Sequence, residues 1–211
     1  MKKFALIAIC LLLAFGARTF AKKNQKVNTQ NIEFKNGDIV FQTTNSDQCK
    51  AVQLATHSPY SHCGIIFKHQ NEWQVLEAIG PTKCTSLDEW MEHGVGGRIV
   101  VKRLKNREEL SEEEENKMKT IGIKLLGKAY DFSFDWDDDK IYCSELVWKL
   151  YDRGAGIQVG KLKKLKDFDL SHSAVQAKLK ERYGDHIPYE EIVIPPSSIF
   201  ESENLIDVFK N

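Results

Sequence analysis

The sequence predicts an α+β fold, a mostly antiparallel sheet with helices over part of both faces, and three observations carry that prediction. Short runs rich in branched and aromatic residues, at 38–42, 61–67, 73–79 and 98–104, are bounded by turn residues and read as strands. Two of them are joined by a polar link of hairpin length, which makes them antiparallel. Few of the strands alternate strictly between apolar and polar residues, so both sheet faces need cover. With 211 residues, 42% of them hydrophobic and only five prolines, the chain is long enough for one domain with a sizeable core, placed at 32–211.

The elements follow in order. After the turn Lys35-Asn36-Gly37, residues 38–42 form the first strand. Ser46 caps a helix over 46–56 that carries Cys49, Val52 and Ala55 at helical spacing and breaks at Ser58-Pro59. The hairpin 61–79 comes next. Ser86-Leu87-Asp88-Glu89 is a capping-box pattern opening a short helix through Met91, which Gly94 closes. The strand 98–104 leads into a long helix over 111–126, acidic at its start and ended by Gly127. A second amphipathic helix carries Leu146, Val147, Leu150 and Tyr151 until Asp152-Arg153-Gly154 stops it. Residues 171–183 form another helix stopped by Gly184, and 191–194 a last strand ended by two prolines.

The amino end has a different character. Lys2-Lys3, an apolar run over 4–15 and the small residues up to Ala21 have the pattern of a signal peptide cleaved near Ala21, so an exported protein, periplasmic or extracellular, is expected. Its apolar run is short for a membrane span, although an uncleaved anchor is the alternative. Residues 22–31 are polar and expected to be flexible. Loss of 1–21 removes Lys2, Lys3 and Arg18 and no acid, leaving a mildly acidic protein. Nothing in that charge pattern points to nucleic acid. The cluster 161–166 holds four lysines, which permits peripheral contact with a membrane or anionic polymer, although such runs are usually solvated faces.

Export makes the cysteines informative. Cys49, Cys63, Cys84 and Cys143 remain after the leader, and if Cys143 stays a thiol an odd number is left, with Cys49–Cys84 the first pair to expect. A zinc site from His57, His62 and Cys63 lacks a second ligand pair at recognisable spacing, so neither metal nor cofactor is expected.

Cys143 stands out because the polar run 135–140 cannot enter a core, which places the thiol at the start of its helix. The unpaired N–H groups and positive dipole end there favour a thiolate. In the hairpin, symmetry about His69-Gln70 would set His62 directly opposite Glu77, on one sheet face and within reach of each other. Taken singly, Cys143 reads equally well as a small buried hydrophobe and His62 as a strand-end hydrogen-bonding group. Glu77 inside an apolar strand is harder to dismiss, because a buried carboxylate needs a partner. Together the three have the logic of nucleophile, base and orienting group.

The order of "SHCGII", "VLEA" and "YCSELVW", with "GKAYD" before the cysteine and "IPPSS" near the end, resembles the circularly permuted papain-like cysteine hydrolases, the YiiX/YaeF-like branch of the NlpC superfamily. The resemblance spans 36–147 and 194–198 and implies a permuted papain-like fold. It also implies hydrolysis of an amide or peptide bond through a thioester on Cys143, with His62 as base and Glu77 orienting it. The oxyanion would meet the Cys143 N–H and a side-chain donor, with Tyr142, Tyr60 and Tyr130 all open as candidates. A small peptide, cell-wall derived, or an N-acyl amine is the expected substrate. The alternatives are a lipid acyltransferase or thioesterase type of enzyme, or a non-catalytic binding module on the same fold. Residues 154–189 match nothing in the resemblance.

Overall fold

The computed structural model describes residues 32–106 and 109–211, so the expected leader 1–21 and polar segment 22–31 lie outside the described residues. Strands β1 (Ile39–Gln42), β2 (His62–His69), β3 (Glu72–Ala78), β4 (Thr82–Ser86) and β5 (Val100–Leu104) belong to one six-stranded sheet. β6 (Lys163–Lys164) pairs with β7 (Ile192–Val193) in a second, small sheet, and β8 (Leu205–Lys210) completes the first. The large sheet runs β4-β3-β2-β1-β5-β8, antiparallel throughout.

The helices are α1 (Asp47–Thr56), α2 (Leu87–Glu92), α3 (Glu112–Leu125), α4 (Cys143–Ala155), α5 (Ser173–Tyr183) and α6 (Pro196–Phe200). Their starts follow capping chemistry: Ser46 Oγ accepts from Cys49 N–H at 3.1 Å, Ser86 Oγ from Glu89 N–H at 3.2 Å, and Ser111 and Glu114 cap each other's backbone.

Strand alternation sorts the core. Ile39, Phe41, Cys63, Ile65, Phe67 and Leu76 face Leu146, Val147 and Leu150 of α4 and Met118 and Leu125 of α3. Gly154 allows that helix pair to close, since a Cβ there would lie 2.3 Å from Met118 Cγ. Val40, Ile66, Val75 and Val101 face Leu87, Trp90 and Met91 on the other side. A third cluster joins Ala51 of α1 to Val175 and Leu179 of α5 and to Leu165.

Several expectations need correction. β4 and β8 are absent from the sequence reading because edge strands alternate poorly: β4 is Thr-Lys-Cys-Thr-Ser, and a bulge between Val101 and Lys102 interrupts the pairing of β5 with β8. Residues 191–194 yield only the two-residue β7 and do not end the fold. Pro196, expected to terminate a strand, begins α6, where its fixed φ and missing N–H suit the first turn. The Cys49–Cys84 disulfide does not form. All four described cysteines are free, Cys49 buried 2.7 Å from Thr44 Oγ1 and Cys84 exposed on edge strand β4.

Candidate active site

Cys143 is the first residue of α4 and is buried. Its neighbours pin the helix start: Ser144 Oγ donates to Ile194 O at 2.7 Å, and Tyr142 Oη accepts from Ile194 N–H at 3.0 Å. Glu145 Oε2 accepts from Tyr142 N–H at 3.2 Å, and its other oxygen lies 2.6 Å from Lys149 Nζ one turn on. Lys149 also binds Asp138 Oδ1 at 2.8 Å, which ties the polar run 135–140 to the helix. Burial raises the Glu145 carboxyl to about 7 against the pull of Lys149.

The hairpin register differs from the symmetric expectation. His69 pairs with Glu72 and Ile65 with Leu76, so the turn is Gln70-Asn71, both at positive φ as a type I′ turn requires. Glu77 therefore sits across from Gly64, and His62 lies two residues further along β2. The shift is two residues, so both side chains stay on one face as diagonal neighbours, a separation long side chains can span. His62 Nε2 and Glu77 Oε2 are 2.6 Å apart. Gly64 is what lets this diagonal close: a Cβ there would stand 2.4 Å from Val75 Cγ1 and 3.4 Å from Glu77 Cβ. Thr85 Oγ1 on β4 donates to the other Glu77 oxygen at 2.6 Å, and Trp90 stacks beside the His62 ring with centroids 6.0 Å apart.

With Nε2 held by Glu77, the remaining ring nitrogen of His62 is left for the Cys143 sulfur, with which the ring shares a hydrogen bond. Burial alone would lower the His62 pKa, but the bonds and charges of Cys143 and Glu77 raise it to about 10. Burial likewise pushes the Glu77 carboxyl up, and the His62 contact, helped by Thr85 and Lys83, outweighs it and brings the group below its ordinary value. The Cys143 thiol is held well below its ordinary value, chiefly by a hydrogen bond from the Cys63 side chain and, against burial, by His62 and the Cys63 backbone. Burial, followed by the Cys143 charge, pushes the Cys63 thiol up, so Cys63 remains a protonated donor to its neighbour. These shifts favour an imidazolium between a thiolate and a carboxylate.

Cys63 packs in the core as its strand position implies, yet its role beside Cys143 escaped the sequence reading. Alternation on β2 held the clue, since Cys63 faces the side α4 covers. Thr85 left no such clue, because its strand was unread.

The three tyrosines separate. Tyr130 lines the cleft together with Cys143, and burial followed by the Cys143 charge pushes its hydroxyl pKa well up. Tyr142 is buried with its hydroxyl engaged by Ile194. Tyr60 stacks on Phe200, centroids 4.2 Å apart, and is not among the residues lining the cleft. From Cys143 and His62 a cavity of about 540 Å³ extends between α1, α5 and the loop bearing Phe132 and Phe134. Its residues from 165–182 belong to the stretch that no sequence motif explained. The lysines of the cluster are exposed, and Lys164 and Lys166 pair with the exposed Glu190 at 2.7 and 2.5 Å.

Comparison with known proteins places these features in a lineage. Residues 33–209 match the family described as permuted papain-like amidase enzymes, YaeF/YiiX, C92 family. The uncharacterized protein YiiX of Escherichia coli K12 is 49% identical over 174 residues, 82% of this chain and 85% of that protein. A crystal structure described as metalloprotein yiiX from Escherichia coli O157:H7 superposes with a TM-score of 0.80 at 49% identity, covering 84% of this chain and 97% of that one. Among the described residues of this chain, no three or more His, Cys, Asp or Glu side chains are grouped so as to hold a metal ion.

Proposed function

The chain belongs to the permuted papain-like amidases, and from that premise we propose that it is a cysteine hydrolase of amide bonds working through Cys143, His62 and Glu77. The observation that carries the reading is the buried relay itself, a His62 ring shared between the Cys143 sulfur and a Glu77 oxygen 2.6 Å away. The thiolate attacks the carbonyl carbon. The oxyanion so formed is met by the Cys143 N–H at the helix start and by the Tyr130 hydroxyl. His62 gives its proton to the departing amine as the C–N bond breaks, leaving a thioester. Water then loses a proton to His62, attacks the thioester and frees the acid and the thiolate. Glu77 keeps the ring oriented and stabilises its cationic form.

The substrate class is a small peptide or an N-acyl amine. Iodoacetamide near neutral pH should modify Cys143 fastest among the four cysteines, and an activated ester should leave an acyl group on Cys143 that mass spectrometry maps. Acylation that persists in Cys143→Ala would overturn the reading and favour a binding module with incidental reactivity elsewhere.

A further inference from the structure

Cys143 and Cys63 are neighbours that stand in unequal relation to solvent. Cys143 borders the cavity, so a small solute that enters the cleft reaches its sulfur. Cys63 is wholly buried and is not among the residues lining the cleft. Both belong to one core cluster, where the start of α4 lies against β2. Cys63 bonds the Cys143 sulfur twice, through its own thiol and through its backbone. The other two described cysteines are placed differently: Cys49 Sγ lies 2.7 Å from Thr44 Oγ1, and Cys84 is exposed on edge strand β4. Burial, and then the bond to Cys143 and its charge, keep Cys63 a thiol, whereas Cys143 is held towards the thiolate that oxidants attack. A serine hydroxyl at position 63 would donate an equivalent hydrogen bond. What sulfur adds there is redox chemistry.

We propose that Cys143 and Cys63 form a redox pair: peroxide oxidises Cys143, and Cys63 resolves the product into an intramolecular disulfide that shuts the site reversibly. It takes from the amidase reading only that Cys143 is the reactive thiol. The Cys143 sulfur binds one peroxide oxygen as the O–O bond breaks, so sulfur is oxidised to a sulfenic acid and the peroxide is reduced. The departing hydroxide takes the His62 proton and leaves as water. The Cys63 sulfur then attacks the Cys143 sulfur. The S–S bond forms as the S–O bond breaks, and the Cys63 proton leaves with the hydroxyl group as a second water. Sulfurs already in contact have little distance to close to a bond of about 2.05 Å. Because Cys63 intercepts the sulfenic acid, Cys143 is kept from the irreversible sulfinic acid, and a dithiol reductant restores both thiols.

The test exposes the reduced full chain to a small excess of hydrogen peroxide, then quenches it in acid, alkylates it and digests it without reductant. Mass spectrometry should find peptides joined through Cys63 and Cys143. Iodoacetamide labelling of Cys143 should fall at least tenfold and return with dithiothreitol. In Cys63→Ser the same treatment should carry Cys143 to sulfinic acid, so that dithiothreitol recovers less than a tenth of the labelling. Dimedone should trap the sulfenic acid in this variant and not in the wild type. A bridge from Cys143 to any other cysteine, sulfinic acid at Cys143 of the wild type, or unchanged labelling after peroxide overturns the pair. Full recovery of Cys63→Ser by dithiothreitol overturns the resolving role of Cys63, and the wild-type peptide map decides alone where the variant does not fold. Labelling of untreated protein judges the amidase reading separately: a Cys143 that iodoacetamide ignores ends that reading whatever peroxide does.

Discussion

The frame that holds Cys143, His62 and Glu77 and the wall that borders the cavity are built on opposite principles. In the frame every key group is buried and partnered: Glu77 is fully buried with both oxygens bonded, and Cys143 receives from Cys63 and His62. In the wall, apolar side chains from α1 and α5 line open volume, and the guanidinium of Arg182 pairs with no carboxylate among the described residues. The frame thus holds groups whose partners are already present, whereas the wall borders open volume.

The largest effects should come from breaking the frame. Cys143→Ala should abolish covalent turnover, and His62→Ala should cost nearly as much, since nucleophile and base act as a unit and their losses do not add. Acyl-enzyme formation measured by mass spectrometry checks both. Tyr130→Phe should lower kcat by about a hundredfold, the order of losing one oxyanion donor, with KM little changed. An effect below about twofold would remove Tyr130 from the hole. Glu77→Gln keeps the shape and a hydrogen-bond acceptor but removes the charge beneath the imidazolium. A ten- to hundredfold loss in kcat/KM is expected, about 1.4–2.7 kcal/mol.

The pH profile sharpens the same contrast. The ion pair exists above the depressed Cys143 pKa and below that of His62, so the alkaline limb of kcat/KM should fall near 10, and Glu77→Gln should move it to lower pH. Stability follows the same groups. The His62 contribution, from a pKa raised above 6.5, is fully present below about 6.5 and lost as pH rises through about 10. The Glu77 contribution, from a pKa lowered beneath 4.5, is present above about 4.5 and lost as pH falls through the depressed value. Denaturant melts across pH would show both losses. Gly64→Ala gives the smallest change in composition, yet the added methyl should cost about 1–3 kcal/mol and lower the melting temperature, because Val75 fills that space.

Legibility in the sequence follows the same division. Polar residues inside apolar runs, such as Glu77, announce themselves because burial without a partner is costly. Capped helices are equally visible, and Ser46, Ser86 and Ser111 begin the helices expected of them, at the bounds expected within a residue or so. The register was not readable, because Gln70-Asn71 adopts a type I′ turn without the glycine that would mark it. Edge strands β4 and β8 lack the alternation that burial on one face would impose. The cavity wall left least trace of all: Val175 and Leu179 have the spacing of any helix facing a core, and only their contact with α1 across open volume distinguishes them.

The diagonal between His62 and Glu77 gives the hairpin a parity. Successive side chains on a strand alternate faces, so losing one residue between Asn71 and Glu77 would throw the carboxylate to the side covered by α4, whereas losing two would keep it with His62 and slide it by about 7 Å. Length variation in this segment therefore behaves like a reading frame. Odd changes are lethal to the pairing, and even ones leave it a matter of reach.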